Sequence, residues 1–253
     1  MSSDARPMRR FAQAIADTES LPAGLPAALA RTLAAGPDHY NIAKGSVATV
    51  LARDHDGSIA VADMVWGLVP RWSKEPATPY TTVTARLERA PRSRIYAQAW
   101  AQRPCVLPMT GYYKWDRARR PPWPLFVQRK DGRVLLAAGL WEHWESEDGQ
   151  QLDSFTVLTG PNHAIPAPLT PDGPIFIAPA AALDWLSGAF KTPAALNARA
   201  TTPALEAYPV SRVFRDPARD DYTLLEPVDP DAAATAEPPQ WDGDAWDERD
   251  ADE

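Results

Sequence analysis

Few residues in this chain can do chemistry, and their settings decide what each can do. The 253 residues include a single cysteine, Cys105. One thiol excludes an internal disulfide and any zinc site built on several thiolates, agrees with a reducing compartment, and leaves metal binding without support. A lone cysteine also invites a nucleophile hypothesis. Its neighbours Val106, Leu107 and Pro108 instead read as an apolar strand holding a buried thiol. His163 follows Pro161-Asn162 in what reads as a turn, so a surface imidazole is a plainer reading than a catalytic base. His39 and His143 read as structural or exposed. Charge is divided unevenly. Residues 227–253 hold ten Asp or Glu and one Arg, and removing them from totals of 33 acidic and 26 basic residues leaves 23 against 25. The net charge of −7 therefore belongs to the tail, and a body near +2 does not argue against a polyanionic ligand.

The elements that must position a site show in the apolar spacing. Residues 12–35 carry Ala and Leu at roughly helical intervals, and Pro22 and Pro26 divide the stretch into short helices. From Tyr40 the pattern changes to short runs of Val, Ile, Leu and aromatics at 46–54, 58–69, 124–130, 133–144, 153–159 and 173–178, punctuated by Gly, Pro and Asp. These read as strands. Residues 179–197 open with Pro179 and place Leu183 and Leu186 at helical spacing beside Trp185, which predicts helix. Strands with a few interspersed helices make an α+β domain. A hydrophobic content of 45% suffices for a sizeable core, and the length suits one domain. No stretch reaches the ~18 apolar residues of a membrane-crossing helix, and MSSDARPMRR lacks the apolar run of a secretory signal. A cytoplasmic protein is expected. The tail, poor in aliphatic residues and rich in Pro, Ala and Asp, is expected to be disordered.

Several blocks follow one another in a defined order: Arg10-Phe11, Tyr40-Asn41-Ile42-Ala43, Trp66-Gly67-Leu68-Val69-Pro70-Arg71-Trp72, Ala85-Arg86-x-Glu88 and Ser93-Arg94. Cys105-Val106-Leu107-Pro108, Gly111-Tyr112-Tyr113-x-Trp115, Ala138-Gly139-Leu140-Trp141-Glu142 and Pro209-Val210-Ser211 continue it. In that order, from residue 8 to about 228, the chain resembles the SOS-response-associated peptidase (SRAP) family. The resemblance implies an α+β SRAP-like fold, with curved β-sheets forming a barrel-like core and short helices flanking it. It divides the chain into an N-terminal extension at 1–7, a SRAP-like domain at 8–226 and an acidic tail at 227–253. Members of the family bind single-stranded DNA and become covalently linked to abasic sites. Removal of the initiator Met exposes an N-terminal cysteine whose thiol and α-amine condense with the open-chain sugar aldehyde into a thiazolidine. An Asn before the Ala-Arg-x-Glu block, a Glu in the Gly-aromatic-aromatic-Glu-Trp block and a His before the last strand assist by positioning and proton transfer.

All four of those positions differ here. Met8 stands where the cysteine belongs, behind seven further residues. A thioether does not ionise, and an internal residue has no free amine. Thr84 occupies the Asn position and loses the amide's paired donors and acceptor. Lys114 occupies the Glu position, reversing its charge and removing a carboxylate able to exchange protons. Thr170, reached by counting from Thr159 to Pro174, occupies the His position, so the group titrating near neutrality is gone.

What the resemblance leaves for DNA is Arg10, Asn41, Arg86 and Arg94, at positions that face the family's DNA channel, where guanidinium groups contact phosphates. Trp72 is placed to stack on an unpaired base, a contact worth ~1–3 kcal/mol. Trp66 reads as core. Arg9, Arg89 and Arg92 lie in or near the same blocks and either add nonspecific binding or form a solvated basic face. The expectation is a monomeric pseudoenzyme of the DNA damage (SOS) response, without cofactor or metal, binding single-stranded or abasic-site DNA without the cysteine linkage. The alternatives are an enzyme whose Lys114 amine, or an N-terminal amine at Met8 if translation starts there, forms a Schiff base with the sugar aldehyde, and a protein-interaction module on the same scaffold. In the tail, Trp241 and Trp246 stand among acidic residues, which suits a mimic competing for a basic groove, a docking peptide for a protein partner, or a solubilising segment.

Overall fold

A computed structural model describes residues 8–54 and 56–232. The extension at 1–7 and the tail from residue 233, with its expected disorder, lie outside the described residues. In chain order the elements are β1 (Phe11–Gln13), α1 (Ala27–Ala34), β2 (His39–Ile42), β3 (Val47–Arg53), β4 (Ile59–Trp66), β5 (Thr84–Arg86), α2 (Ala97–Gln102), β6 (Pro104–Met109), β7 (Gly111–Asp116), β8 (Trp123–Arg129), β9 (Leu135–Glu145), β10 (Gln151–Pro161), β11 (Asp172–Pro174), α3 (Pro179–Leu186), α4 (Pro193–Asn197) and β12 (Leu205–Pro209). The α+β class with a barrel-like core agrees with the sequence reading.

Strands β10, β4, β3, β6 and β9 pair in that order, and β9 pairs back to β10, so five strands close on themselves. Closure removes the unpaired edges that an open sheet would present. Strand β10 organises the rest. Its first half pairs antiparallel with β9 and parallel with β4, while its last residues pair parallel with β5 and antiparallel with β11. A second sheet, in the order β12-β8-β7-β1-β2, packs beside the barrel.

The apolar runs form these strands because their side chains fill two large cores. One gathers Leu51, Leu136, Leu140, Leu158 and Trp185 under the helices. The other gathers Met8, Phe11, Trp66, Tyr112, Phe155 and Phe176 between the sheets. Trp66 is fully buried, meets Phe11 edge-on at 4.9 Å and donates its Nε1–H to the Val83 carbonyl at 2.8 Å, as a core reading requires. Helix α3 begins on Pro179 and buries Ala181, Ala182, Trp185 and Leu186. Close approach explains Gly139 on β9, where a Cβ would fall 2.7 Å from the Thr156 carbonyl oxygen and 2.9 Å from Cys105 Sγ. Cys105 is correspondingly buried, and burial pushes its thiol far above the usual range, away from nucleophilic character.

Two expectations need correction. The helical stretch at 12–35 is helical only from Ala27, because Ala12 and Gln13 belong to β1, where they bridge β2 and β7. Long-range pairing overrides the local Ala-rich propensity there. The folded body also runs past residue 226: Val210 bridges Pro227, Val228 donates its N–H to the Pro209 carbonyl at 2.9 Å, and Pro230 is buried. Among the described residues no helix is long and apolar enough to cross a membrane.

Candidate functional site

Strand β7 lies between β8 and β1, which aligns Tyr112 and Lys114 on one face of the pleat. Tyr112 goes into the core beside Met8, and Lys114 reaches towards the segment before β11. Its Nζ donates to the Asp172 carbonyl at 2.6 Å and to Thr170 Oγ1 at 3.2 Å. The residue is only 6% exposed. Burial lowers the Lys114 pKa from 10.5 to about 8, opposed by the carboxylate of Asp172 and assisted by the guanidinium of Arg86. An amine so placed is partly neutral near physiological pH and can act as a base or nucleophile.

The same end of β10 brings in Arg86. Thr159 pairs with Arg86 on one side and with Pro174 on the other, and Pro161 pairs with Asp172. Arg86 crosses to form an ion pair with Asp172 Oδ1. The second carboxylate oxygen, Asp172 Oδ2, is buried without a protein hydrogen-bond partner, and so is the Tyr112 hydroxyl. Thr84 sits two residues before Arg86 on β5, and its carbonyl accepts from Tyr96 Oη at 3.4 Å. Met8 is 1% exposed and packs in one cluster with Tyr112, Ile165 and Leu169, the residue before Thr170. Lys114 and Thr170, far apart in sequence, therefore touch, and Met8 shares the apolar cluster of Leu169. Thr84 stays on β5, opposite Val157 of β10.

The five residues expected at DNA do not form one group. Trp72 and Arg94 form an exposed pair, with the guanidinium 4.7 Å from the indole centroid and Trp72 Nε1–H donating to the Arg94 carbonyl at 3.4 Å. Arg86 is half-buried against Asp172. Arg10 and Asn41 are turned inward. Arg10 Nη1 donates to Asn41 Oδ1 at 2.8 Å and Nη2 to the Arg215 carbonyl at 3.3 Å, and its guanidinium lies 5.8 Å from the Phe214 ring centroid. Burial lowers the Arg10 pKa. The Asn41 amide donates to the carbonyls of Phe214, Asp216 and Arg219, so both side chains hold the 214–219 segment against β2. Asp172 is the member that sequence reasoning missed. It follows Thr170 by two residues, but nothing local announces a partner 86 residues upstream.

Of the histidines, His163 is exposed, as its turn predicts. His143 lies 2.7 Å from Asp153, and His39 lies 2.8 Å from Asp220. Neither histidine touches the Lys114 cluster. Among the described residues no group of three or more His, Cys, Asp or Glu is arranged to hold a metal ion.

A family model, described as SOS response associated peptidase (SRAP), matches residues 9–217. The chain belongs to that family. Its similarity to the Bacillus subtilis abasic site processing protein YoaM is 25% identity over 192 residues, covering 74% of this chain and 84% of that protein. With the Saccharomyces cerevisiae abasic site processing protein YMR114C it shares 33% identity over 122 residues, 47% of this chain but only 32% of the yeast protein. The abasic site processing protein HMCES of Xenopus tropicalis is 32% identical over 130 residues, 42% of this chain and 39% of its own. This SRAP chain thus spans about a third of the yeast relative and most of the bacterial one. The crystal structure of a protein from Bacteroides thetaiotaomicron superposes with a TM-score of 0.67 at 17% identity, covering 87% of this chain and 98% of that one. A phage-related protein from Bordetella bronchiseptica gives 0.60 at 22% identity, covering 81% and 94%. Those two likenesses concern the fold alone.

Proposed function

We propose that this SRAP protein binds single-stranded and abasic-site DNA noncovalently, as a pseudoenzyme of DNA damage handling. The reading is supported by family membership and by relatives that are named abasic site processing proteins. The observation that carries it is the Lys114–Thr170 contact at 3.2 Å. Two positions matched to the family's Glu and His by sequence order, 56 residues apart, touch, which supports the alignment that also puts Met8 at the cysteine. At those positions a buried thioether stands for a thiol and the Thr170 hydroxyl for an imidazole, the two groups that titrate near neutrality. The thiazolidine route needs a thiol and a terminal amine on adjacent atoms, and an internal Met8 offers neither. Binding is carried by the exposed Trp72–Arg94 pair and by Arg86, which supply a stacking plane and cations for phosphate.

One observation favours a second reading, the lowered pKa of Lys114. With a pKa of about 8, roughly a tenth of the amine is neutral at pH 7. Such an amine adds to the open-chain sugar aldehyde, loses water and leaves an imine, which borohydride reduces to a stable secondary amine.

Incubation of the full-length protein with single-stranded DNA carrying one abasic site, with and without borohydride, separates the readings. The expected result is no linked species on a denaturing gel and a retained complex on a native gel, weakened at least tenfold by Trp72→Ala combined with Arg94→Ala. A borohydride-dependent link that disappears in Lys114→Ala transfers the conclusion to amine chemistry. If no complex forms in either assay at low salt, the scaffold serves protein interactions and the DNA reading falls.

A further inference from the structure

The described chain ends on an arginine cluster. The connection between β7 and β8 runs Arg117-Ala118-Arg119-Arg120-Pro121-Pro122, beginning three residues beyond Lys114. Arg119 and Arg120 are exposed, and the Arg120 guanidinium donates to the main-chain carbonyls of Arg117 and Arg119. Arg119 is the point of arrival for the tail. Its Nη1 donates to Asp231 Oδ1 at 2.8 Å, and its Nε lies 4.0 Å from Asp116 Oδ2. Asp229 in turn accepts from the Asp231 N–H at 2.9 Å, next to the buried Pro230. The first acidic residues of the tail are therefore already seated on the cluster, and the remainder starts from that point.

We infer that residues 233–253 dock on the Arg117–Arg119–Arg120 cluster and compete there with single-stranded nucleic acid. The segment holds eight acidic residues, one Arg and two tryptophans, Trp241 and Trp246. Carboxylates match guanidinium groups as phosphates do, and indoles match the aromatic stacking that unpaired bases make. Length is no obstacle. Fully extended, 21 residues span at most roughly 70 Å, whereas Lys114 and Asp116 are only two strand residues apart, about 7 Å. The tail thus reaches both the cluster and the Lys114 end of β7. Tethering at Asp231 holds it at an effective concentration of about 1 mM, so even a peptide affinity of ~0.1 mM gives roughly tenfold occupancy over the free state. The competing role rests on the DNA-binding reading; the docking does not.

Two measurements keep those apart. The first is fluorescence anisotropy of a labelled synthetic peptide 233–253 against protein 1–232, which retains every buried core residue from Met8 to Leu224. Binding near 0.1 mM in low salt is expected, abolished by high salt and by combined Arg117→Ala, Arg119→Ala and Arg120→Ala. The second compares labelled oligothymidine binding to 1–253 and 1–232. The truncated protein should bind about tenfold tighter, and truncation should make no difference in the triple-arginine variant. If the peptide does not bind and both proteins hold DNA equally, the inference falls while the DNA reading stands. If the peptide binds but neither protein holds DNA, docking stands and the competition falls together with the DNA reading.

Discussion

Lys114 is the residue whose environment departs furthest from what its type prefers. Burial lowers its pKa to about 8, with Asp172 resisting and Arg86 helping. An unfolded lysine keeps its proton up to about 10.5, so below pH 8 both states are charged and folding must bury a cation. Between about pH 8 and 10.5 the folded state gives up that proton while the unfolded state keeps it. Stability contributed by this group therefore rises with pH across that window, by up to on the order of 3 kcal/mol. Lys114→Met keeps the volume and removes the titration. Urea melts at pH 7 and pH 10.5 should show the variant ahead at neutrality and losing that lead at high pH; a constant difference would contradict a buried, titrating Lys114. Arg10 and Asn41 teach a different lesson at this scale. Their residue types suit phosphate and base contacts, but the carbonyls of residues 214–219 claim both side chains. Such a demand comes from a segment 205 residues from Arg10 and 173–178 from Asn41, and leaves no local mark.

Strand β7 is the element on which the site depends, and it enters the second sheet under a tight constraint. At Gly111 a Cβ would fall 2.5 Å from both Phe126 Cζ and the Val127 carbonyl oxygen on β8. Neither backbone nor a packed ring yields cheaply, so Gly111→Ala should destabilise the fold by about 1–3 kcal/mol and displace the Lys114 amine from Thr170. A lowered urea midpoint together with a higher Lys114 pKa is the expected pair of results. An unchanged midpoint would mean that β7 and β8 separate freely. The strands of the barrel are readable as short Val-, Ile- and Leu-rich runs, most clearly where both faces are packed, as along β6 and the first half of β9. Strands β1, β2, β5 and β12 are not, since three to five residues carry too little pattern and form only where a partner strand is supplied.

At the scale of the whole molecule, charge and packing divide along the chain. The described core is complete by Leu224, and the acidic residues concentrate after it. Truncation to 1–232 should leave the melting temperature unchanged in high salt. In low salt a tenfold docking preference adds about 1.4 kcal/mol, which for a body of this size raises the melting temperature of the full chain by about 3–5 °C. A gap that persists in high salt would assign the tail to the core instead. The sequence by itself determined the α+β class and the family. Ordered blocks and residue identity are properties of the chain and need no coordinates. Only the tertiary structure decided that Lys114 meets Thr170, that Asp172 holds Arg86, and that Arg10 and Asn41 are turned inward while Trp72 and Arg94 face solvent. Those outcomes depend on which strands β10 and β7 bring side by side, and pairing between distant segments is set by the packing of the whole core.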